Sequence, residues 1–239
     1  MDLSELLDLA GKASYNSRAH ERDRIDGGNS MPHVIMGTSA HTRMASAEYT
    51  LETAQRFFWP ISRGEPLTPA VLSNTPNPFF VIPPEKGEMP EIFGEQLGAW
   101  TINENVKKII EMLEPDVHTF IPVKLQVRGK STDFGKYFVL VIGQVIDAVV
   151  IEDSDFRDGH GRAGFEKAPI LNSLVGDTVL NHSLIKGRHL WRGGNAKVGP
   201  IGDQGDPFAS YTFCSDELKD RLKAAKVEGW RFRQCKVSK

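Results

Sequence analysis

The stretch that most limits how this chain can fold is Tyr137–Val150, YFVLVIGQVIDAVV. All but Gly143, Gln144 and Asp147 are apolar, and the β-branched content is that of a strand. A strand with one wet face alternates apolar and polar residues. This run does not, so part of its length requires cover on both sides. Gly143 interrupts it, and the run predicts one long bent strand or two strands joined there.

The flanking segments also carry clear signals. Val106, Ile109, Ile110 and Leu113 share one face of a predicted helix over 103–113, and Pro115 follows its end. Residues 119–127 read as a strand. The C-terminal part is clearer: Tyr211–Cys214 reads as a strand, and Ser215 has the hydroxyl of a helix N-cap. Asp216 and Glu217 sit in the first turn, where the helix dipole favours anions. Leu218, Leu222 and Ala225 are expected to face inward, with Glu217 and Arg221 as an i,i+4 pair. Gly229 is expected to take the left-handed conformation past the helix end. Trp230–Cys235 then alternates, with Trp230, Phe232 and Gln234 on one face and Arg231, Arg233 and Cys235 on the other.

Residues 64–90 contain seven prolines and predict loop with at most a short strand, Phe79–Ile82, whose apolar side chains argue for packing onto the body. Residues 45–59 have mixed periodicity and fit helix or strand. Residues 175–191 read as short β segments, and Gly193–Pro207 as loop. Leu3, Leu6, Leu7 and Ala10 predict a short amphipathic helix, followed by a flexible polar connection over 16–30. The fold class is therefore α+β: a mixed or antiparallel sheet with a few helices, ending strand–helix–strand. The expected division is an N-terminal segment, 1–62, particular to this protein, and an α+β domain, 63–239.

With 29 Lys and Arg against 31 Asp and Glu, the formal charge is −2. That balance argues against gripping nucleic acid as the main task. The charge is uneven: residues 85–116 carry eight acids and three lysines, and 215–239 carry eight bases and four acids. Such asymmetry steers charged partners. Two cysteines, Cys214 and Cys235, are too few for a disulfide scaffold; pairing on neighbouring strands is geometrically conceivable, and buried free thiols are the favoured reading. The first residues lack the order of a secretory signal, and no window has the ~20 apolar residues that cross a bilayer. The expected location is the cytoplasm.

No motif for a nucleophile elbow, phosphate loop, dinucleotide fold or zinc site is present, and the seven histidines are scattered. No cofactor or metal is expected. The stretch IEDSDFRDGHGRAGFE, 151–166, concentrates Glu152, Asp153, Asp155, Asp158 and His160. His160 with a carboxylate orienter and Arg162 outlines a general base, and an enzyme of unknown reaction is one alternative. The acids match a calcium loop poorly. A solvated loop after a hydrophobic strand accounts for the same residues. The tail, GWRFRQCKVSK, interleaves aromatics with cations as single-strand binders do, but a half-buried strand shows the same alternation.

From Phe120-Ile121-Pro122-Val123, through Val145-Ile146-Asp147-Ala148 and His189-Leu190-Trp191-Arg192, to Thr212–Lys219 and Gly229–Phe232, the order of features resembles a known family. It is the bacterial immunity protein family numbered eleven, whose members are encoded beside polymorphic toxins. The likeness spans Pro78–Phe232 and is densest from Phe120 onward. Trp191 stands where that family has phenylalanine, and Cys214 where it has a small aliphatic residue. Phe120, Pro122, Asp147, Trp191, Arg192, Ser215, Leu218, Gly229 and Phe232 carry the likeness, and their roles are structural.

The resemblance implies a non-enzymatic inhibitor that binds a cognate toxin. Type VI secretion effectors and HNH or GHH nucleases are the expected class, and no membrane or direct nucleic-acid partner is expected. A nuclease site is positive because it binds phosphate, so Glu152, Asp153, Asp155, Asp158 and His160 become candidate toxin-binding residues.

Overall fold

The apolar run divides at Gly143 into two strands that belong to different sheets. The computed structural model describes residues 31–37, 46–47, 50–62, 64–83, 88–94, 99–130, 134–158, 169–171, 176–197 and 210–238. The first half contains β1 (His33–Gly37), β2 (Ser46–Ala47), a helical segment α1 (51–62), α2 (Pro69–Leu72), β3 (Phe79–Ile82), β4 (Ile92–Gly94), β5 (Trp100–Asn103) and α3 (Glu104–Leu113). Next come β6 (Thr119–Val123), β7 (Leu125–Gln126), β8 (Tyr137–Val141), β9 (Val145–Ile146), β10 (Phe156–Asp158) and β11 (Pro169–Leu171). The remainder is β12 (Val179–Asn181), α4 (His182–Ile185), β13 (Leu190–Lys197), β14 (Ser210–Cys214), α5 (Asp216–Ala224), β15 (Trp230–Gln234) and β16 (Lys236–Ser238).

The main sheet runs β10-β11-β13-β14-β1-β15, with β9 joined to β13 in parallel. A second sheet runs β4-β5-β8-β6 and is antiparallel throughout. Smaller sheets are β2-β3-β7 and β12-β16. Alternating side chains send Tyr137, Val139 and Val141 of β8 into one apolar cluster with Phe57, Phe58 and Ile61 of α1. Leu140 enters a second cluster, shared with Val106, Ile109 and Ile110 of α3 and with Leu218 and Leu222 of α5. Ile35, Leu190, Cys214 and Trp230 of the main sheet close that second cluster, while Val34, Trp191 and Phe213 face a third. Both larger sheets are thus covered on both sides, as the composition of 137–150 demands. Across the middle cluster, the Trp100 indole N–H donates to Thr212 Oγ1 at 3.5 Å, and its ring meets Trp230 edge-on.

Local signals explain the best-formed elements. Asn103 caps α3 by accepting from Val106 N–H, and Ser215 caps α5 by accepting from Leu218 N–H. At the end of α5, Lys226 takes the left-handed conformation, φ 56°, and Val227 N–H reaches the Leu222 carbonyl. Gly229 does not fill that position. At φ 121° it lies against β4, where a Cβ would stand 1.9 Å from the Ile92 carbonyl oxygen. Ala225, expected inward, is exposed at the helix cap.

Other expectations are revised. Residues 45–59 contain both strand and helix, and α1 carries a π-turn, Ala54–Phe58, just before Pro60, which has no N–H to donate. The proline-rich stretch forms Phe79–Ile82 as a strand but also the short α2. Residues 193–197, read as loop, continue β13. β1 lies between β14 and β15, and α1 packs into the first cluster. Both are on the N-terminal side of the boundary expected between residues 62 and 63, and both belong to the packed body. The helix expected at Leu3–Ala10 and the connection over 16–30 lie outside the described residues.

Candidate functional site

The acidic stretch begins as a turn, Ile151–Ser154, where the chain leaves the second half of the apolar run. Val149 bridges to Leu180, and Val150 N–H donates to the Val179 carbonyl, so the turn emerges from paired backbone. Ser154 Oγ accepts from Val179 N–H at 2.9 Å. Asp155 Oδ2 accepts from Asp177 N–H at 2.6 Å, and Asp155 N–H donates to the Asp177 carbonyl at 2.8 Å. A side chain at residue 176 would run into Asp155, its Cβ only 2.3 Å from that of the acid, so Gly176 permits the close approach. The supporting strand is held in turn from the C-terminus. Arg233 donates to the Gly176 carbonyl, and Lys236 pairs with the Asp177 carboxylate.

These contacts separate the candidate acids by role. Asp155 is committed to holding the turn. Glu152 and Asp153 are exposed at its apex and have no ion pair among the described residues. Asp158 belongs to β10, at the edge of the main sheet, rather than to a plain loop. His160 and the rest of the stretch lie outside the described residues. Asp177, which supports the turn, was not singled out by sequence; its only local signal is the Gly-Asp pair, 22 residues from Asp155.

A second polar centre is buried. Glu114, the C-cap of α3, is 6% exposed. Its Oε1 accepts from the Gln144 amide at 2.7 Å and from His189 N–H at 2.8 Å. Its Oε2 accepts from His118 Nε2 at 2.8 Å and from Leu190 N–H at 3.0 Å. Gly143 N–H donates to His118 Nδ1, which places the ring proton on Nε2. Burial alone would raise this carboxyl, but the donors from His118, the backbone and Gln144 outweigh it and hold it below its ordinary value. With both oxygens doubly occupied, Glu114 ties segments together and offers no free lone pair as a base.

The remaining singled-out residues pack or cap. Phe120 lies under the Lys107 ammonium, and Pro122 is exposed on β6, the edge of its sheet, where a missing N–H costs no pairing. Trp191 stacks on Phe213. Arg192 is 0% exposed, and its Nη1 donates to the Ser62 carbonyl at the end of α1. Burial lowers its pKa to about 10. Asp147 is exposed beside Gly194, where a Cβ would meet its carboxylate at 2.0 Å. Leu218 is buried and Phe232 half-buried against the middle cluster. Trp230 is buried against Trp100, so the tail aromatics do not form an open stacking platform. Cys214 and Cys235 are free and lie in different clusters; burial raises the first thiol well above its ordinary value and the second to about 12. Among the described residues no cluster of three or more His, Cys, Asp or Glu is placed to hold a metal ion.

The protein combines ordered strands with a capped C-terminal unit, and its buried carboxylate Glu114 is fully engaged. Its sequence matches the immunity protein family (Imm11) over residues 21–237. The chain belongs to that family. The curated proteins contain no match. As an Imm11 protein it is a non-enzymatic inhibitor that neutralises a toxin. The match begins upstream of the likeness first seen at Pro78 and takes in β1 and α1. No helix among the described residues is long and apolar enough to cross a membrane.

Proposed function

We propose that the cognate toxin is a nuclease, delivered by type VI secretion, and that the turn at Ile151–Asp155 is one of its contacts. The observation that carries this reading is the separation of roles within the turn. Asp155 and Ser154 fasten it to the segment 177–179, while Glu152 and Asp153 stay exposed, with no ion pair among the described residues. Carboxylates held out in advance lose little freedom on binding, and they complement a phosphate-binding surface. Asp158 and His160 follow in the same stretch and belong to the same proposed surface. A toxin that cuts nucleic acid acts in the cytoplasm, which is where its inhibitor is then required.

Exposed carboxylates at a rim act mainly on association rate and salt dependence. Binding of the Glu152→Lys/Asp153→Lys protein to the purified, catalytically inactivated toxin is expected to show association slowed about tenfold at low salt. Dissociation should change little. Asp155→Asn is the internal control, because it weakens the turn without reversing charge. Equal association rates for wild type and the double variant, at all salt concentrations, would remove the turn from the interface. The nuclease assignment stands separately: an active toxin that leaves both DNA and RNA intact contradicts it.

A further inference from the structure

We infer that the outer face of the β2-β3-β7 sheet is a second docking surface, built for an apolar side chain ringed by carboxylates on the cognate toxin. This inference rests on the toxin-neutralising reading and adds an anchor to it. Phe79 and Val81 of β3 point into the first apolar cluster, so Phe80 and Ile82 point away from it. Ile82 is 55% exposed, an unusual position for isoleucine on a paired strand, and Phe80 is half-buried. Phe80 pairs with Gln126 of β7, and the Arg128 guanidinium lies over its ring at 4.5 Å. An aromatic ring under an arginine, with an exposed aliphatic side chain two residues along the same strand face, makes the composition in which interface energy concentrates.

Charge names the partner's chemistry. The chain segment 66–84, which leads into and forms β3, contains no charged residue at all. The segment 117–130, which forms β6 and β7, contains Lys124, Arg128 and Lys130 and no carboxylate. Lys124 and Lys130 are exposed and have no ion pair among the described residues. In a protein of net charge −2, the charged residues of β7 and its described flanks, 124–130, are all cations, set beside the apolar centre on β3. A complementary surface presents acids around an aliphatic or aromatic knob. Nucleic acid is the less fitting occupant, because the chain as a whole is acidic and would repel it.

The test uses the full-length protein and the purified, inactivated cognate toxin, with Kd and association rate measured across salt concentrations. Ile82→Glu is expected to weaken binding at least about tenfold, chiefly through faster dissociation. Lys124→Glu/Lys130→Glu is expected to slow association and to flatten its salt dependence. All three positions are exposed, so unchanged melting curves will show that the variants are folded. Wild-type Kd in both variants overturns the second surface while leaving toxin binding intact. Failure of the unmodified protein to bind the toxin overturns both readings together. Salt-dependent binding of a DNA duplex, lost in the lysine variant, also overturns the proposal and reassigns the face to nucleic acid.

Discussion

Glu114 takes four hydrogen bonds from residues 118, 144, 189 and 190, so one side chain closes the ends of α3, β6, β9 and β13 onto each other. Each oxygen receives two donors, and Glu114→Gln necessarily turns one amide NH2 toward groups that also donate. The expected cost is about 3 kcal/mol, the loss of charge-assisted bonds plus an unsatisfied buried group. The pH dependence has a definite sign. The folded carboxyl is held below its ordinary value, so its stabilisation is full above the unfolded value of about 4.3 and is lost as pH falls below it. Melting temperature against pH should drop on the acid side in wild type, and more shallowly in Glu114→Gln. Equal acid limbs in the two proteins would remove Glu114 from that role. None of this is visible in sequence order, because the donors lie up to 76 residues away. The same holds for the acidic turn: what distinguishes Asp155 from Glu152 and Asp153 is Asp177, 22 residues further along the chain.

Elements whose signals are local were legible. The caps at Asn103 and Ser215, the apolar stripe of α3 and the alternation of β15 each follow from a few neighbouring residues. Legibility ended where pairing is long-range. Nothing near His33 announces that Val34 will pair with Phe213 on one side and Arg233 on the other. The π-turn of α1 also defeats a 3.6-residue pattern, which is why 45–59 fitted neither period. The apolar run 137–150 is the informative middle case. Its double burial was readable, but the reason for Gly143 was not. A Cβ there would stand 1.9 Å from the Val117 carbonyl oxygen, so the break between β8 and β9 is a close backbone crossing. Gly143→Ala must displace that backbone and is expected to destabilise by about 2 kcal/mol, because the clash is with main chain held by neighbouring strands and not with a flexible side chain. Chemical denaturation measures it, and a loss below 1 kcal/mol would mean that the crossing gives way easily.

At the scale of the molecule, three apolar clusters of the described residues alternate with the two larger sheets, and β1 and α1 lie inside that stack. β1 pairs with β14 over His33–Ile35 and with β15 over His33–Gly37, so its removal leaves a gap in the middle of the main sheet. α1 adds Phe57, Phe58 and Ile61 to the first cluster, and its last carbonyl accepts from the otherwise uncompensated Arg192. A chain starting at residue 63 loses Val34, Ile35, Phe57, Phe58 and Ile61, five side chains whose burial contributes about 2 kcal/mol each. That sum, roughly 10 kcal/mol, matches the entire stability of an ordinary domain, about 5–15 kcal/mol. It also strands a buried guanidinium and opens two sheet edges to aggregation. The 63–239 protein is therefore expected to lack a cooperative thermal transition, to show a flat near-ultraviolet circular dichroism spectrum and to give no protection against the toxin. If it melts sharply and still binds the toxin, then β14 and β15 close on each other without β1, and the binding surfaces reside wholly in the C-terminal part.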